Sequence, residues 1–446
     1  MAHVMEWDRL LDLGRLGHPS YRHQPHRPAF DQDADRISFS APFRRLANKT
    51  QVHPLYDNDH IHHRLIHSVE TASVGRSLGI DVGNFLEEQG LIGAGERMVL
   101  AGVVHAACLA HDIGNPPFGH SGEDAIGAWF SARFDAGRGL FADRQSVFAE
   151  EFEAFEGNAQ GFRILTNLEM YRGDGGMRLT HATLATFSKY PVTARRRTTL
   201  TERYCGLKKF GIFESEARNF ESVAERTGLI AEATPDGAPW WRRHPLVFLV
   251  EAADDICYNI LDLEDAFTSR DLGYHEVLDL LSDLAGREPI AGNSEAENIA
   301  FLRAMAISQS IAASVEAFRT HYDAIMAGTF SDALIDASEL GERFDKIATL
   351  ANTRIFTSPR KTELEVMGRN VVHQVLDGLM PVFDALSAAD WKVEDLKSYP
   401  QQLARATGID LRNVSDTYTA LHALSDYVSG MTDRYAVKIA QMVRGA

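Results

Sequence analysis

Cysteine is scarce in this sequence, which contains only three in 446 residues. Cys108, Cys205 and Cys257 lie far apart and form no CxxC pair, which excludes a disulfide scaffold or zinc ribbon and favours a reducing compartment. No apolar run reaches the roughly 18 residues of a membrane-spanning helix, and the first dozen residues lack the profile of a signal peptide. We therefore expect a soluble, cytoplasmic protein with no membrane partner.

Positive charge is also in the minority. The chain has 45 Lys and Arg against 62 Asp and Glu, which gives a formal net charge of −17. An acidic surface repels phosphate, so nonspecific capture of nucleic acid by the whole surface is not expected. A local basic pocket remains compatible with this charge, and a small anionic ligand is therefore not excluded.

Strand-like alternation does not stand out, whereas helical periodicity recurs along the chain. Ile311, Val315, Phe318, Tyr322 and Ile325 follow steps of four, three, four and three, the stripe of a packed helix. We predict an all-α fold in three parts. These are an irregular N-terminal arm at residues 1–35, rich in His, Pro, Arg and Asp, a catalytic core at 36–275, and a C-terminal helical region at 276–446 packed on the core.

The densest chemistry lies in residues 111–123, HDIGNPPFGHSGE. They follow an apolar segment, 96–112, whose nearly all-round apolarity is typical of a buried helix. The two prolines must end that helix, because proline lacks the amide donor and pushes the preceding residue out of the helical region. The turn is expected to return His120 and Glu123 to this helix end, with Ser121 capping a new helix.

Four side chains, two of them inside this stretch, lie on apolar segments and are costly to bury alone, because a desolvated charge must be paired or bound to a cation. They are His67, His111, Asp112 and Asp254. A single histidine is usually a satisfied core or surface residue, but the adjacent His111 and Asp112 with remote helical partners favour a metal site. Two imidazoles and two carboxylates suit Mn, Mg, Co, Fe, Ni or Zn, and the sequence does not choose among these divalent metal ions.

The spaced pattern H...HD...D resembles that of the HD-domain phosphohydrolases. Three longer strings are similar to those of the bacterial deoxyguanosine triphosphate triphosphohydrolases: HDIGNPPFGHSGE at 111–123, FEGNAQGFR at 155–163 and EAADDICY at 251–258. The strings in this order are specific, and the resemblance runs from about Arg36 to the C-terminal helices. It implies an HD-domain helical core with additional C-terminal helices. It also implies hydrolysis of a dNTP substrate, dGTP favoured, to deoxynucleoside and inorganic triphosphate by water attack at the α-phosphorus.

The same resemblance assigns roles to individual residues. The four residues above would hold the metal, His120 would transfer a proton at the scissile bond, and Glu123 would orient it. Tyr258 and Asp262 look like the pair that recognises the sugar 3′-hydroxyl, with Gln51 on the opposite side. The remaining substrate contacts would come from Arg64, Asn158, Lys189, Tyr190 and Lys209. Asn115 stands where other dNTP hydrolases of the superfamily carry a histidine, which leaves His120 as the main acid–base candidate.

Two other functions remain open. The first is a different HD phosphohydrolase that acts on an alarmone, a cyclic dinucleotide or a nucleoside monophosphate. The second is a nucleic-acid-binding regulatory protein that keeps the HD residues for structure, and single-stranded DNA binding could also accompany catalysis. The resemblance alone predicts a homo-oligomer, possibly a hexamer.

Overall fold

A computed structural model describes residues 4–24, 26–50, 63–355, 357 and 359–445. Its α-helices, in chain order, are α1 (Trp7–Leu10), α2 (Ala29–Ser38), α3 (Ala41–Arg45), α4 (Arg64–Glu88), α5 (Arg97–Ala110), α6 (His120–Ala136), α7 (Ala149–Glu153), α8 (Gly157–Arg163), α9 (His181–Phe187), α10 (Ala194–Thr198), α11 (Ala217–Thr227), α12 (Val247–Ser269), α13 (Tyr274–Ala285), α14 (Glu295–Thr320), α15 (Tyr322–Met326), α16 (Gly341–Leu350), α17 (Pro359–Ala388), α18 (Ser398–Thr407), α19 (Thr417–Ser429) and α20 (Asp433–Arg444). The predicted all-α fold is confirmed. No helix in the described ranges combines the length and apolarity needed to cross a membrane.

The centre of the core is formed by α4, α5 and α12, which pack on one another. Helix α5 is buried on almost every side, as its continuous apolar sequence indicates. Two glycines of α4 allow it to approach α5 closely. A Cβ atom at Gly79 would lie 2.7 Å from the Cα of Ala101, and one at Gly83 would lie 2.8 Å from the Cα of Arg97. This close packing brings the beginning of α4 to the end of α5.

The segment predicted to be an irregular arm contains α1 and the first part of α2. Trp7 and Leu10 of α1 are buried, and the buried Arg15 forms an ion pair with Asp33 at 2.6 Å. Arg15 also donates to the backbone oxygen of Arg178. The sequence did not predict α1, because a helix of four residues is too short to show a helical period. The His- and Pro-rich composition of this segment also gave no sign of its tertiary contacts.

The two strands described, β1 (Ala231–Ala233) and β2 (Pro239–Trp241), form an antiparallel hairpin. Each strand has three residues, too few for an alternating pattern to be recognised. The Asp236–Gly237 pair between the strands is typical of a hairpin turn, and Gly237 adopts the positive φ angle, 84°, that such a turn requires.

The C-terminal helices extend the core towards the stretch 111–123. Helix α17 packs on α6 and on α18, α19 and α20. The ring of Phe118 lies against α17 at Gly368, where an added Cβ atom would lie 2.8 Å from the ring. The turn before α6 is therefore in contact with the C-terminal helices as well as with the core.

Candidate active site

The turn between α5 and α6 places the residues of the stretch 111–123. Helix α5 ends at Ala110, and α6 begins at His120 after the two prolines. Phe118 and Gly119 adopt positive φ angles of 64° and 60°. Ser121 lies inside the first turn of α6 rather than capping it as predicted, and the capping position is held by Gly119.

Three of the four predicted metal ligands come together, two from helices and one from the residue that directly follows α5. One ligand atom from each of His67, His111 and Asp254 lies within 4.8 Å of the other two, and we call these residues the metal cluster. His67 Nε2 lies 3.0 Å from Asp254 Oδ1, and His111 Nε2 lies 3.5 Å from the same oxygen. Helices α4 and α12 supply His67 and Asp254, and His111 directly follows the end of α5.

The fourth predicted ligand, Asp112, lies beside the metal cluster. Its Oδ1 atom is 3.6 Å from His111 Nε2 and accepts a hydrogen bond of 2.5 Å from Asn115. Its Oδ2 atom accepts a hydrogen bond of 2.8 Å from Arg64. The buried Arg64, predicted as a substrate contact, therefore pairs with Asp112 in this structure.

The metal cluster fits a divalent cation. His111 Nδ1 contacts the backbone oxygen of Cys108 at 2.6 Å, which is how a metal-binding imidazole is commonly oriented. Its buried Nε2 has no hydrogen-bond partner among the described residues and faces two carboxylates. A lone pair that faces carboxylates is unfavourable unless a cation or a proton lies between them.

The charges of the metal cluster are strongly coupled. Burial alone would raise the pKa of Asp254, but the imidazoles of His111 and His67 hold it well below its usual range. Burial alone would also raise the pKa of Asp112, and Arg64 is the largest of the charges that lower it. Both carboxylates are therefore ionised near neutral pH, the state in which a carboxylate binds a metal.

His120 and Glu123 lie on the first turn of α6 and line the same cavity. His120 is exposed, whereas Glu123 is buried. Glu123 Oε1 accepts a hydrogen bond of 2.8 Å from the amide of Gly157, at the beginning of α8. No hydrogen bond joins His120 to Glu123 within the described part of the chain, so the predicted orienting role of Glu123 stays a prediction.

Lys189, Lys209 and Glu251 line another part of the cavity. Together with Glu156, which binds Lys209, we call these residues the lysine end. Lys189 Nζ lies 3.1 Å from Glu251 Oε1, and Lys209 Nζ donates to Glu156 Oε2 at 2.9 Å. Burial alone would lower the pKa of Lys189, but Glu251 raises it. The charge of the lysine end is thus balanced by acids in the absence of a ligand.

The two acids of the lysine end differ. Burial, helped by the charge of Glu123, raises the pKa of Glu156 to about 7. Burial alone would raise the pKa of Glu251 as well, but Arg243 and Lys189 lower it to about 2. Both acids belong to strings singled out in the sequence, but the sequence did not indicate which lysine each acid would meet. Only the fold brings these pairs together.

The remaining predicted substrate residues occupy several positions. Asn158, Tyr190 and Tyr258 line the cavity, which has a volume of about 410 Å³ and is also lined by the metal cluster and both lysines. Asp262 is buried one helical turn beyond Tyr258 and is not among the described residues that line the cavity. Gln51 lies outside the described residues.

Comparison with known proteins places this site in a family. The HD domain model matches residues 64–168, and the phosphohydrolase-associated domain model matches residues 337–442. The fold and the His–His–Asp cluster therefore define an HD-domain phosphohydrolase.

Full-length relatives identify the family more closely. The chain is 40% identical over 459 residues to the deoxyguanosinetriphosphate triphosphohydrolase-like protein of Pseudomonas aeruginosa (strain LESB58), with 99% of each chain covered. It is 39% identical over 446 residues to the protein of that name from Synechocystis sp., again with 99% of each covered. The Listeria monocytogenes protein of that name is 30% identical over 476 residues, which cover 99% of this chain and 100% of the relative. The chain belongs to the deoxyguanosinetriphosphate triphosphohydrolase-like family.

Proposed function

We propose that this protein is a divalent-metal-dependent dNTP triphosphohydrolase that prefers dGTP. Water would attack the α-phosphorus, the bond to the 5′-oxygen would break, and deoxynucleoside and inorganic triphosphate would leave. The observation that carries the proposal is the metal cluster, with its unpartnered His111 Nε2, in one cavity with His120 and the two lysines. The names of the full-length relatives support the dNTP as substrate.

His67, His111, Asp254 and the adjacent Asp112 would hold the cation. A bound cation would supply Lewis acidity, which polarises a phosphoryl oxygen and lowers the pKa of coordinated water. Arg64 and Asn115 fix the carboxylate of Asp112, so that its two oxygens are already oriented before a ligand arrives. Such contacts to a ligand carboxylate commonly matter for metal affinity.

His120 is the residue that we assign to proton transfer. Its imidazole is exposed in the cavity wall, at the beginning of a helix whose N-terminal end favours the negative charge of a phosphate. Protonation of the departing 5′-oxygen would require an acid at this position. Glu123, held by the amide of Gly157, would fix the first turn of α6 and the direction of His120.

The lysine end would bind the triphosphate. A phosphate oxygen can replace a carboxylate oxygen as the acceptor of a charge-assisted hydrogen bond. Tyr258 lies one turn along α12 from Asp254 and would contact the deoxyribose, where its ring would exclude a 2′-hydroxyl. Arg64, Asn158 and Tyr190, which line the cavity, are further proposed substrate contacts, as are Asp262 and Gln51 on the sugar.

The product of the reaction tests this proposal. The purified protein is incubated with each of the four dNTPs and with GTP, in Mn²⁺ or Mg²⁺ and in water enriched in ¹⁸O. We expect inorganic triphosphate that carries one ¹⁸O atom, with dGTP consumed fastest and GTP poorly used. Release of pyrophosphate or orthophosphate alone would contradict the proposal and favour a different HD phosphohydrolase. Absence of turnover, with salt-sensitive DNA binding that survives metal removal, would favour the regulatory alternative.

Homo-oligomer formation, possibly as a hexamer, and single-stranded DNA binding also stay proposals. Sedimentation of the purified protein, with and without dNTP, tests the first.

A further inference from the structure

The turn that presents His120 has a backbone that needs external support. Phe118 has a φ of 64°, which is costly for a bulky residue, and Gly119 follows with a φ of 60°. Such conformations persist when contacts from the surrounding structure hold them. We call residues Asn115–His120 the His120 turn.

One carboxylate from the C-terminal region holds this turn. Asp433 is buried at the beginning of α20, and its Oδ1 atom accepts a hydrogen bond of 3.0 Å from the amide of Phe118. Its Oδ2 atom accepts from the amide of Thr50 at 3.2 Å and from the Thr50 hydroxyl. Both oxygens of Asp433 therefore bind segments that are distant in sequence.

Asp433 is not needed to cap its own helix. An acid in the first turn commonly satisfies the free amides of that helix. In α20 the side chain of Thr432 accepts from the amide of Tyr435 instead. The carboxylate of Asp433 is therefore available to the His120 turn.

A second buried contact joins the same segments. Lys49 Nζ donates to the backbone oxygens of Asn115 at 2.5 Å and of Ser429 at 2.7 Å. It thereby links the beginning of the His120 turn to the end of α19. Helices α17 and α20 therefore contact this turn directly, and α19 is joined to it through Lys49.

We propose that Asp433 is a positioning residue that holds the His120 turn in its reactive geometry, so that the phosphohydrolase-associated region completes the active site. Asp433 acts through the amide of Phe118, two residues before His120, and through Thr50, which lines the same cavity. The catalytic part of this inference rests on the proposed function.

The test compares Asp433→Ala with Asp416→Ala. Asp416 caps α19 by accepting from the amide of Thr419 at 2.8 Å, so its removal also weakens a C-terminal helix but leaves the His120 turn untouched. For each protein, kcat and KM for dGTP, bound Mn²⁺, and amide hydrogen exchange in a peptide spanning residues 115–123 are measured. In Asp433→Ala we expect kcat to fall roughly ten- to hundredfold at unchanged Mn²⁺ content, because misplacement by about 1 Å has effects of this size. Exchange in the peptide should become faster.

In Asp416→Ala we expect kcat and the exchange of this peptide to match the wild type. Asp433→Asn, which keeps an acceptor for Phe118, should restore most of the lost kcat. If Asp433→Ala is insoluble, Asp433→Ser replaces it, because the shorter hydroxyl cannot reach Phe118.

Wild-type kcat in the Ala or Ser variant would overturn the proposal, as would a fall in kcat that only follows loss of Mn²⁺. If the wild type hydrolyses no dNTP, the proposed function fails by itself. Hydrogen exchange then decides the remaining claim: unchanged exchange in the variant would show that Asp433 does not hold the turn.

Discussion

The metal cluster and the lysine end occupy one cavity but balance their charges in different ways. In the metal cluster the buried Nε2 of His111 has no hydrogen-bond partner among the described residues and faces carboxylates. At the lysine end each lysine has a glutamate oxygen within 3.1 Å. The metal cluster therefore has a buried nitrogen that a cation or a proton would satisfy, whereas each lysine of the lysine end already has an acidic partner.

The two lysines are not equivalent in this comparison. Glu251, whose pKa is lowered to about 2, stays ionised and binds both Lys189 and Arg243. Glu156, whose pKa is raised to about 7, is partly protonated near neutral pH and holds Lys209 less firmly. A triphosphate should therefore recruit Lys209 more easily than Lys189.

The largest effect is expected from Asp254→Ala, which removes the carboxylate closest to both imidazoles. Metal binding and turnover should both be lost, because the two histidines and the adjacent Asp112 form an incomplete ligand set without the carboxylate that both imidazoles face. Calorimetric titration with Mn²⁺ and a triphosphate-release assay measure these effects. Asp262→Asn, two turns along the same helix, should keep the metal and change only sugar selectivity. Mn²⁺ affinity equal to that of the wild type in Asp254→Ala would exclude this metal cluster.

His120→Ala should separate chemistry from metal binding. We expect kcat to fall by roughly two or more orders of magnitude, the usual contribution of a general acid or base, while Mn²⁺ affinity and KM stay close to wild type. His275→Ala, which removes an exposed imidazole on α13, is the control. Unchanged turnover in His120→Ala would remove this residue from the mechanism.

Lys209→Met tests the lysine end and should act mainly on KM. Loss of one charge-assisted contact to phosphate should raise KM for dGTP roughly tenfold and leave metal binding intact. Lys208→Met is the matched control, because Lys208 is the exposed neighbour that does not line the cavity. Equal KM values for the two variants would contradict a phosphate role for Lys209.

The smallest effect concerns pH. Because the pKa of Glu156 is raised from 4.5 to about 7, the folded protein binds a proton that the unfolded chain releases, and wild-type stability falls as pH rises through this window. The Glu156→Gln variant has no carboxyl group at this position, so its stability does not fall for this reason as pH rises. Its free energy of unfolding relative to wild type should therefore increase between pH 4.5 and 7, by on the order of 3 kcal/mol, and then level off. Glu151, whose pKa is also raised, is present in both proteins and cancels in the difference. A pH-independent difference in denaturant unfolding would contradict the shifted pKa.

The sequence predicted the helical class and pointed to the residues of the metal cluster, because a charged pair at the end of an apolar helix is conspicuous. His111 and Asp112 are followed by prolines that have to end α5, and the turn does return His120 to the same cavity. Gly75, Gly79 and Gly83 recur every four residues on one face of α4, a spacing that also indicates close packing against another helix.

Other contacts could not be predicted, because they depend on which segments meet in space. Asp433 lies 315 residues from Phe118 and resembles any acid at a helix start. Arg64 was assigned to substrate, and its bond to Asp112 depends on the packing of α4 against α5. Likewise, nothing in the strings showed that Glu156 would neutralise Lys209.

We propose that the two histidines and the carboxylate of the metal cluster bind one divalent cation. Pulsed electron paramagnetic resonance of the wild-type protein with one equivalent of Mn²⁺ tests it without an activity assay. We predict ¹⁴N couplings from two imidazoles, reduced to one in His67→Ala. A bound Mn²⁺ without ¹⁴N coupling, or a spectrum unchanged in His67→Ala, would contradict the account.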